Sequence, residues 1–446
     1  MIQYYPSHIH IKNEFLRFAS QHVGIMESQV LMSAKSKSSP YSALCTSQMP
    51  KYHKLMLNEN IEISYHLSGY GIYREEALIR LLGEGIERYG LLTASLMFKD
   101  KIVYASYNEL MEKEEMIPWK YIKLYSDEDY EKLKKNTMLR NITKDNIIGW
   151  LKCPSLFDAG KEYYVPAQCL FIGYQINEQA GEKLFTPGFS KGSSTHTNIK
   201  KALKGAIMEA VEADALMIKW YADNKAEKVI IDDLELLNIV NELLAGSDYE
   251  LSVYNYSLQD MPANTFGVAL VNKKDKTPFV TMGCSTSLDP VKGVYRGIME
   301  ALAILYLANN GSLVMPKDYL ETTNEKEFIN LDSNVAYWSN SKDIDIKRNI
   351  LTGIFDGEIA LSGMENYEKA TDEEELTYLI NSLRKESKYG VYLDITPVEV
   401  AGKGMKVMRV FFPELVQMSF PGFPYADHPR VKKYGGIKCE LPHPLP

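Results

Sequence analysis

Two stretches of the chain can be written one above the other: GSSTHTNIKKALKGAIMEAVEA (Gly192–Ala213) and GCSTSLDPVKGVYRGIMEALAI (Gly283–Ile304). Gly192 falls over Gly283, Ser194 over Ser285, Thr195 over Thr286 and Asn198 over Asp289. Ile207-Met208-Glu209-Ala210 falls over Ile298-Met299-Glu300-Ala301. SGYGIYREEALIRLLGEGIERYG (Ser68–Gly90) is a looser third copy, with Glu84 in register with Glu209 and Glu300. Each copy reads as a Gly/Ser/Thr loop, a cap and an amphipathic helix with a glutamate about three turns in. Asn198 and Asp289 are good N-cap residues, and Pro290 follows at the favoured first helical position. Ile199, Leu203, Ala206, Ile207 and Ala210 form one apolar stripe, and Val294, Ile298, Ala301, Leu302 and Leu305 form another. Glu209 and Glu212 lie off the first stripe, and Arg296 and Glu300 lie opposite the second.

Around this repeat the chain reads as an α/β (α+β mixed) protein. Strands are expected at Glu162–Val165, Gln168–Tyr174, Leu251–Tyr256, Phe266–Val271, Pro278–Thr281, Gly390–Asp394 and Met405–Phe412, alternating with helical patterns. Residues 99–146 and 317–347 are rich in charged residues and read as solvated polar insertions. Residues 1–55 form an N-terminal segment of uncertain role, and 56–446 a single catalytic unit.

Composition narrows the class. The chain has 446 residues, 45% hydrophobic and 24% charged, which suits a globular protein that folds without disulfide or metal staples. The net charge of −8 argues against a phosphate-gripping nucleic-acid binder. The five cysteines are dispersed with no CxxC pair, so neither a disulfide framework nor a zinc knuckle is indicated, and a cytoplasmic setting suits them. The opening residues lack a signal-peptide layout, and the apolar run Ala301–Ala308 falls far short of the ~20 residues that span a bilayer.

The carboxylates carry the chemistry. Glu84 and Glu87, like Glu209 and Glu212, are three apart and share a helix face. Alone, each pair is an ordinary solvated face, and Arg88 is placed for a surface ion pair with Glu84. The recurrence of one glutamate behind three similar loops changes this. If the helices converge, the crowded carboxylates stay ionised only beside cations. Oxygen-only donors suit Mg²⁺, which shares its shell with phosphates, so a nucleoside triphosphate is the natural companion. GFSKGSS has the glycines of a phosphate loop without its GK[ST] ending. The histidines His8, His10, His53, His66, His196 and His428 carry no argument, and Asp214 reads as a core aspartate that orients a neighbouring loop. The chain ends PHPLP, an extended polyproline-II pattern that loses little entropy on docking and so can deliver a terminal carboxylate to a fixed place.

These segments resemble the YcaO family, in particular its azoline-forming cyclodehydratases. GEGIERYG (Gly83–Gly90) looks like the family's first Glu-x-x-Glu-Arg helix. Lys191–Leu216 looks like its second, and DPVKGVYRGIMEA (Asp289–Ala301) like its Asp-Pro helix. MKVMRVFFPEL (Met405–Leu415) is similar to a late family strand, and PHPLP to the Pro-x-Pro-x-Pro ending of azoline-forming members. The resemblance implies repeated loop–helix units around sheets with the ATP site between them. It implies an ATP- and Mg²⁺-dependent enzyme that turns Cys, Ser or Thr of a ribosomally made precursor peptide into thiazoline or oxazoline by phosphorylating the backbone amide oxygen. Glu84, Glu87, Glu209 and Glu212 would then hold Mg²⁺, and Arg88, Ser194, Thr197, Arg296 and Glu300 would lie around the nucleotide. Pro446, with Pro444 and Pro442 before it, would assist proton transfer through its carboxylate. The implied partners are an E1-like or ThiF-like leader-binding protein, a flavin-dependent dehydrogenase and a second copy in a homodimer, with no nucleic acid and no membrane. MIQYYPS and the overall length look similar to the streptolysin-type cytolysin maturation subgroup. Ala213 stands where the second motif usually has Arg, Lys201 where some members have Glu, and Thr197 where Asn is common. Thioamide or amidine formation, and a non-catalytic peptide- or partner-binding scaffold, remain open alternatives.

Overall fold

The computed structural model describes residues 13, 17–20, 24–27, 29–36, 39–52, 54, 66–314, 328, 329 and 331–445. Among these residues, fourteen strands make four sheets. The first is antiparallel, in the order β1 (Gln29–Ser36), β2 (Ser39–Gln48), β3 (His66–Gly71). The second is β4 (Val103–Ser106), β5 (Ile147–Pro154), β6 (Glu162–Pro166). β7 (Ser193–His196) belongs to a sheet completed late in the chain. β8 (Ala226–Ile230), β9 (Tyr249–Asn255), β10 (Asn264–Asn272), β11 (Val280–Ser287) and β12 (Phe355–Ala360) form the largest, in the order β11-β10-β9-β8-β12. β12 runs parallel to β8, and the other pairs are antiparallel. β13 (Val391–Asp394) and β14 (Lys406–Phe411) join β7 in the order β13-β14-β7. The helices of nine residues or more are α1 (Arg74–Met97), α2 (Ile199–Met217), α3 (Leu234–Leu244), α4 (Pro290–Val314), α5 (Leu331–Ser339), α6 (Ile344–Gly353) and α7 (Asp372–Leu383).

The mixed α/β class agrees with the reading of the sequence, and the repeat becomes three strand–helix units: β3–α1, β7–α2 and β11–α4. The expected Gly/Ser/Thr loops are strands. Their small polar residues hide the alternation by which a strand is recognised, because β11 is buried on both faces and needs none. The glycines serve close approach. A Cβ on Gly283 would stand 2.4 Å from Gly297 O of α4, and one on Gly69 of β3 would stand 2.1 Å from Ala77 O of α1. The caps are as expected. Asn198 Oδ1 accepts from the amides of Lys200 and Lys201 (2.9 and 3.3 Å), and Asp289 Oδ1 from those of Val291 and Lys292 (2.9 and 3.3 Å). The α4 stripe of Val294, Ile298, Ala301, Leu302 and Leu305 is buried against β10 and β11.

Other expectations are corrected. Within Gln168–Tyr174 the chain turns through a short helix, Ala167–Leu170, rather than a strand. Residues 99–146 are no solvated insertion: Ile117, Ile122, Tyr125, Tyr130, Leu133 and Leu139 join the main core. Their neighbouring charges stay outside in local pairs such as Lys132–Glu128 (2.6 Å). Of 317–347, residues 317–327 and 330 lie outside the described residues, but α5 is core, with Asn334 to Ser339 buried. The described part of 1–55 is no separate unit either, because β2 pairs with β3 of the first repeat.

The C-terminal segment is tied down by a buried charge cluster. Asp214 of α2 is fully buried, as a core aspartate should be. Arg430 Nε lies 2.8 Å from both its oxygens, while the other two nitrogens of that guanidinium lie 2.8 Å from the oxygens of Asp260. Asp214 also accepts from Val416 N (2.8 Å). Arg430→Met leaves the fully buried Asp214 without its cation, while Asp260 keeps only the exposed Lys433 (3.0 Å). The expected loss is about 3–5 kcal/mol of folding stability in urea titration.

His428 beside it is neutral: Nε2 donates to Pro413 O (3.1 Å) and Nδ1 accepts from Arg430 N (3.1 Å). Burial pulls its pKa from 6.5 down to about 4. Between those values the unfolded chain binds the proton and the native chain does not. Stability is therefore full above pH 6.5 and falls toward pH 4, by up to about 3 kcal/mol from this group. His428→Gln should flatten the slope of unfolding free energy against pH in that window.

Candidate active site

Three helices bring their glutamates to one pocket. On α1, Glu87 is only 9% exposed and accepts from Ser193 Oγ of β7 (2.6 Å). Glu84, one turn earlier and nearer solvent, pairs with Arg88 Nε (2.8 Å). On α2, Glu212 is 8% exposed and accepts from the Thr286 amide of β11 (2.8 Å). On α4, Glu300 accepts from the Cys284 amide of β11 (2.8 Å). So α1 braces the strand of the second unit, and α2 the strand of the third. The burial of Glu87 and Glu212 excludes the solvated face that either pair would suggest alone.

The electrostatics show the convergence. Burial first, then the charges of Glu209 and Glu84, push the Glu87 carboxyl well above the ordinary range. Glu209 is raised by burial, with Glu212 and Glu84 adding to it against Lys191 and Arg88. Glu300 is pushed up to about 7, by burial and then by Glu212 and Glu209, against Lys191. Burial works against the charge of Arg88, but Glu84 and Glu87 outweigh it and keep the guanidinium protonated. Five carboxylates from three stretches of chain thus form one linked cluster, and in three of them burial and then neighbouring carboxylates oppose ionisation despite Lys191 and Arg88.

The sequence does not single out the cations that answer them. Lys191, just before β7, places Nζ 2.5 Å from Glu212 Oε1. Arg409 of β14 is 2% exposed and faces the carbonyls of Ser190 and Lys191 (2.9 and 2.6 Å) and Cys169 (3.3 Å). Burial lowers its pKa to about 10, with Glu209 and Glu87 opposing. Of the remaining expected residues, Ser194 is half-buried on β7. Thr197 and Arg296 are exposed, and Thr197 bonds only to His196 Nδ1 (3.4 Å). Lys201 points away, toward Asp372 on α7 (3.5 Å). Ala213 is fully buried in the core.

The donor set suits a hard cation and phosphate. It holds only oxygens, on carboxylates that repel one another. Ser285 Oγ and Thr195 Oγ1, on the strands beneath, are buried hydroxyls without a partner. Among the described residues no three acidic, histidine or cysteine side chains close into a metal cage. Mg²⁺ does not need one: it takes one or two carboxylates and completes its shell with water and phosphate.

Residues 442–445 of the terminal PHPLP are docked. The prolines remove amide donors, and a buried segment still needs partners for its carbonyls. Side chains supply them. Trp220 Nε1 donates to Leu441 O (3.0 Å), Trp338 Nε1 to Pro442 O (2.8 Å), and Asn334 Nδ2 to His443 O (2.6 Å) and Leu445 O. His443 N donates to the Tyr221 hydroxyl (3.1 Å). Pro442 and Pro444 are buried, and Pro446 lies outside the described residues. Trp220 and Tyr221 sit in a π-helical turn, Ile218–Asp223, that continues α2, and Asn334 and Trp338 sit on α5, which packs on α4 and β11. The seat of the tail is therefore built from the elements that frame the carboxylates.

Residues 68–416 match the family model described as YcaO cyclodehydratase, ATP- and Mg²⁺-binding. The chain belongs to the YcaO family. ATP and Mg²⁺ are the cofactors of that family, and the pocket between its three helices fits them. The fold agrees with YcaO and heterocyclase structures. A heterocyclase in complex with substrate and cofactor superposes with a TM-score of 0.72 at 17% identity, over 98% of this chain and 57% of that one. The chain thus spans little more than half the length of that heterocyclase. YcaO from Methanopyrus kandleri, bound with AMPPCP and Mg²⁺, superposes at 0.60 and 13% identity, over 98% and 93% of the two chains. The E. coli microcin synthetase McbBCD complex with pro-MccB17 bound gives 0.60 and 13%, over 96% and 99%. No curated protein matches the chain. No helix of the described residues is long and apolar enough to cross a membrane.

Proposed function

We propose that this YcaO protein is the ATP-dependent cyclodehydratase subunit of a peptide-modifying system, of the streptolysin-type cytolysin maturation kind, acting in the cytoplasm. Its substrate is a ribosomally made precursor peptide presented by an E1-like or ThiF-like partner, and its product carries thiazoline or oxazoline rings. The observation that carries this reading is the joint placement of the three-helix carboxylate pocket and the docked proline tail.

In the reaction a Cys, Ser or Thr side chain adds to the preceding carbonyl carbon. The resulting oxygen takes the γ-phosphoryl group of ATP, and phosphate leaves with that oxygen as the C=N bond forms. An amide oxygen is a poor leaving group, and phosphorylation removes that obstacle. Mg²⁺, when bound, spreads the phosphoryl charge. Glu84, Glu87, Glu209 and Glu212 are assigned to hold it, with Glu300 and Arg88 facing the nucleotide and Ser194, Thr197 and Arg296 at the rim. The tail delivers the Pro446 carboxylate to the peptide, where it takes the proton of the attacking side chain, gives it up to water, and then takes that of the amide nitrogen as phosphate leaves. Pro442 and Pro444 stiffen that delivery.

Mass spectrometry of a candidate precursor, incubated with ATP, Mg²⁺ and the partner, tests the reading. The expected product has lost one water per ring, with one ADP and one phosphate released for each. Exchange of oxygen for sulfur would instead mark thioamide formation. Loss of one water without consumption of any Cys, Ser or Thr side chain would mark an amidine. Absence of Mg²⁺–ATP binding in calorimetry would leave a scaffold and overturn the enzyme.

A further inference from the structure

Lys191 is the one cation that the carboxylates of the second and third units share among the described residues. Its backbone is fixed from below by Arg409, whose buried guanidinium holds the carbonyls of Ser190 and Lys191 (2.9 and 2.6 Å). Gly192 follows with φ of 95°, a turn that swings the chain into β7. The side chain thus starts from a rigid base and ends 2.5 Å from Glu212 Oε1. Glu209 and Glu300 act on the same ammonium.

Both oxygens of Glu212 are therefore engaged, Oε2 by the Thr286 amide (2.8 Å) and Oε1 by Lys191. A metal ion that ligates Glu212 must displace one of them. The amide belongs to a strand and does not move, whereas the ammonium ends a flexible four-carbon stem. That side chain is 27% exposed, so part of it already faces solvent. Two neighbouring arginines are already engaged, Arg88 by Glu84 and Arg409 by carbonyl oxygens. Ala213, beside Glu212, offers no charge.

We propose that Lys191 is a displaceable internal cation: in the nucleotide-free protein its ammonium holds the divalent-cation position at Glu212, and on loading with Mg²⁺–ATP it passes to a phosphate oxygen. It thereby supplies at the nucleotide the positive charge that the alanine at 213 lacks. This rests on the nucleotide site proposed above, and the test separates the two.

Mn²⁺ binding without nucleotide, followed by electron paramagnetic resonance, and Mg²⁺–ADP binding, followed by calorimetry, are compared for the wild type, Lys191→Met and Lys191→Arg. Removing a competing cation should tighten Mn²⁺ binding, by roughly tenfold, and removing a phosphate contact should weaken Mg²⁺–ADP binding, also by roughly tenfold. Lys191→Arg should resemble the wild type in both. The apo melting temperature of Lys191→Met should fall and recover on addition of Mg²⁺ alone. A merely structural lysine would weaken both ligands together. If Lys191→Met does not fold, Lys191→Gln, which keeps a hydrogen bond to Glu212 without the charge, takes its place. Mn²⁺ binding that is present in the wild type and unchanged or weakened in the variant overturns the displaceable cation alone. Absence of saturable Mg²⁺–ADP binding in the wild type overturns it together with the nucleotide site.

Discussion

Replacing Glu209 by Gln is expected to lower peptide-stimulated ATP hydrolysis by roughly 10²–10³-fold while making the free protein harder to melt. The two effects share one cause. Burial of the Glu209 carboxyl and the field of Glu212 and Glu84 together outweigh Lys191 and Arg88, so its charge is unfavourable until further positive charge arrives. Removing that charge relieves the crowding in the empty pocket, and it also removes a ligand that pays off only when Mg²⁺ is present. The amide has nearly the shape of the carboxylate, so packing of the half-buried side chain on α2 is kept. Phosphate release and a thermal melt, each with and without Mg²⁺, read the two signs. A further signature is that added Mg²⁺ should raise the melting temperature of the wild type more than that of the variant. Wild-type turnover in the variant would remove Glu209 from the metal site.

The second large effect concerns the tail. Asn334→Leu takes away the donor that holds both His443 O and Leu445 O, the last fixed points before the terminus. Ring formation should fall by roughly 10²-fold, the cost of misplacing a catalytic group by about an ångström. Mg²⁺–ADP affinity should stay that of the wild type, because none of the pocket residues touches Asn334. Carboxypeptidase should digest the variant's C-terminus faster than the wild type's, a readout of release that does not depend on activity. Deleting Pro444 to Pro446 should give the same loss of rings with the fold intact. Full ring formation by the truncated chain would deny the terminal carboxylate any role.

Much of the pocket was legible before the structure. The recurrence of Glu84, Glu209 and Glu300 at one register implies convergence, and Glu84 acts on Glu209 and Glu209 on Glu300. The strands beneath them read as loops in the sequence because they are built of Gly, Ser and Thr, and in β11 burial on both faces leaves no alternating pattern. Lys191 went unselected because its role depends on Arg409 and Glu212, which lie 218 and 21 residues away in the chain. The prolines suggest a tail that docks at little entropic cost, but they do not reveal its seat. Asn334 and Trp338 fall in a stretch whose lysines and aspartates dominate its composition, and composition averages over the few buried donors that matter.

The bracing of each unit by the one before it has a consequence for how the protein comes into being. A nascent chain that has emerged only through α2 presents Glu212 with no Thr286 amide to receive it, and β11 has yet to leave the ribosome. The acidic helices of the first two units therefore lack that brace until β11 is made, so assembly of the carboxylate cluster waits on the third unit rather than growing with the chain.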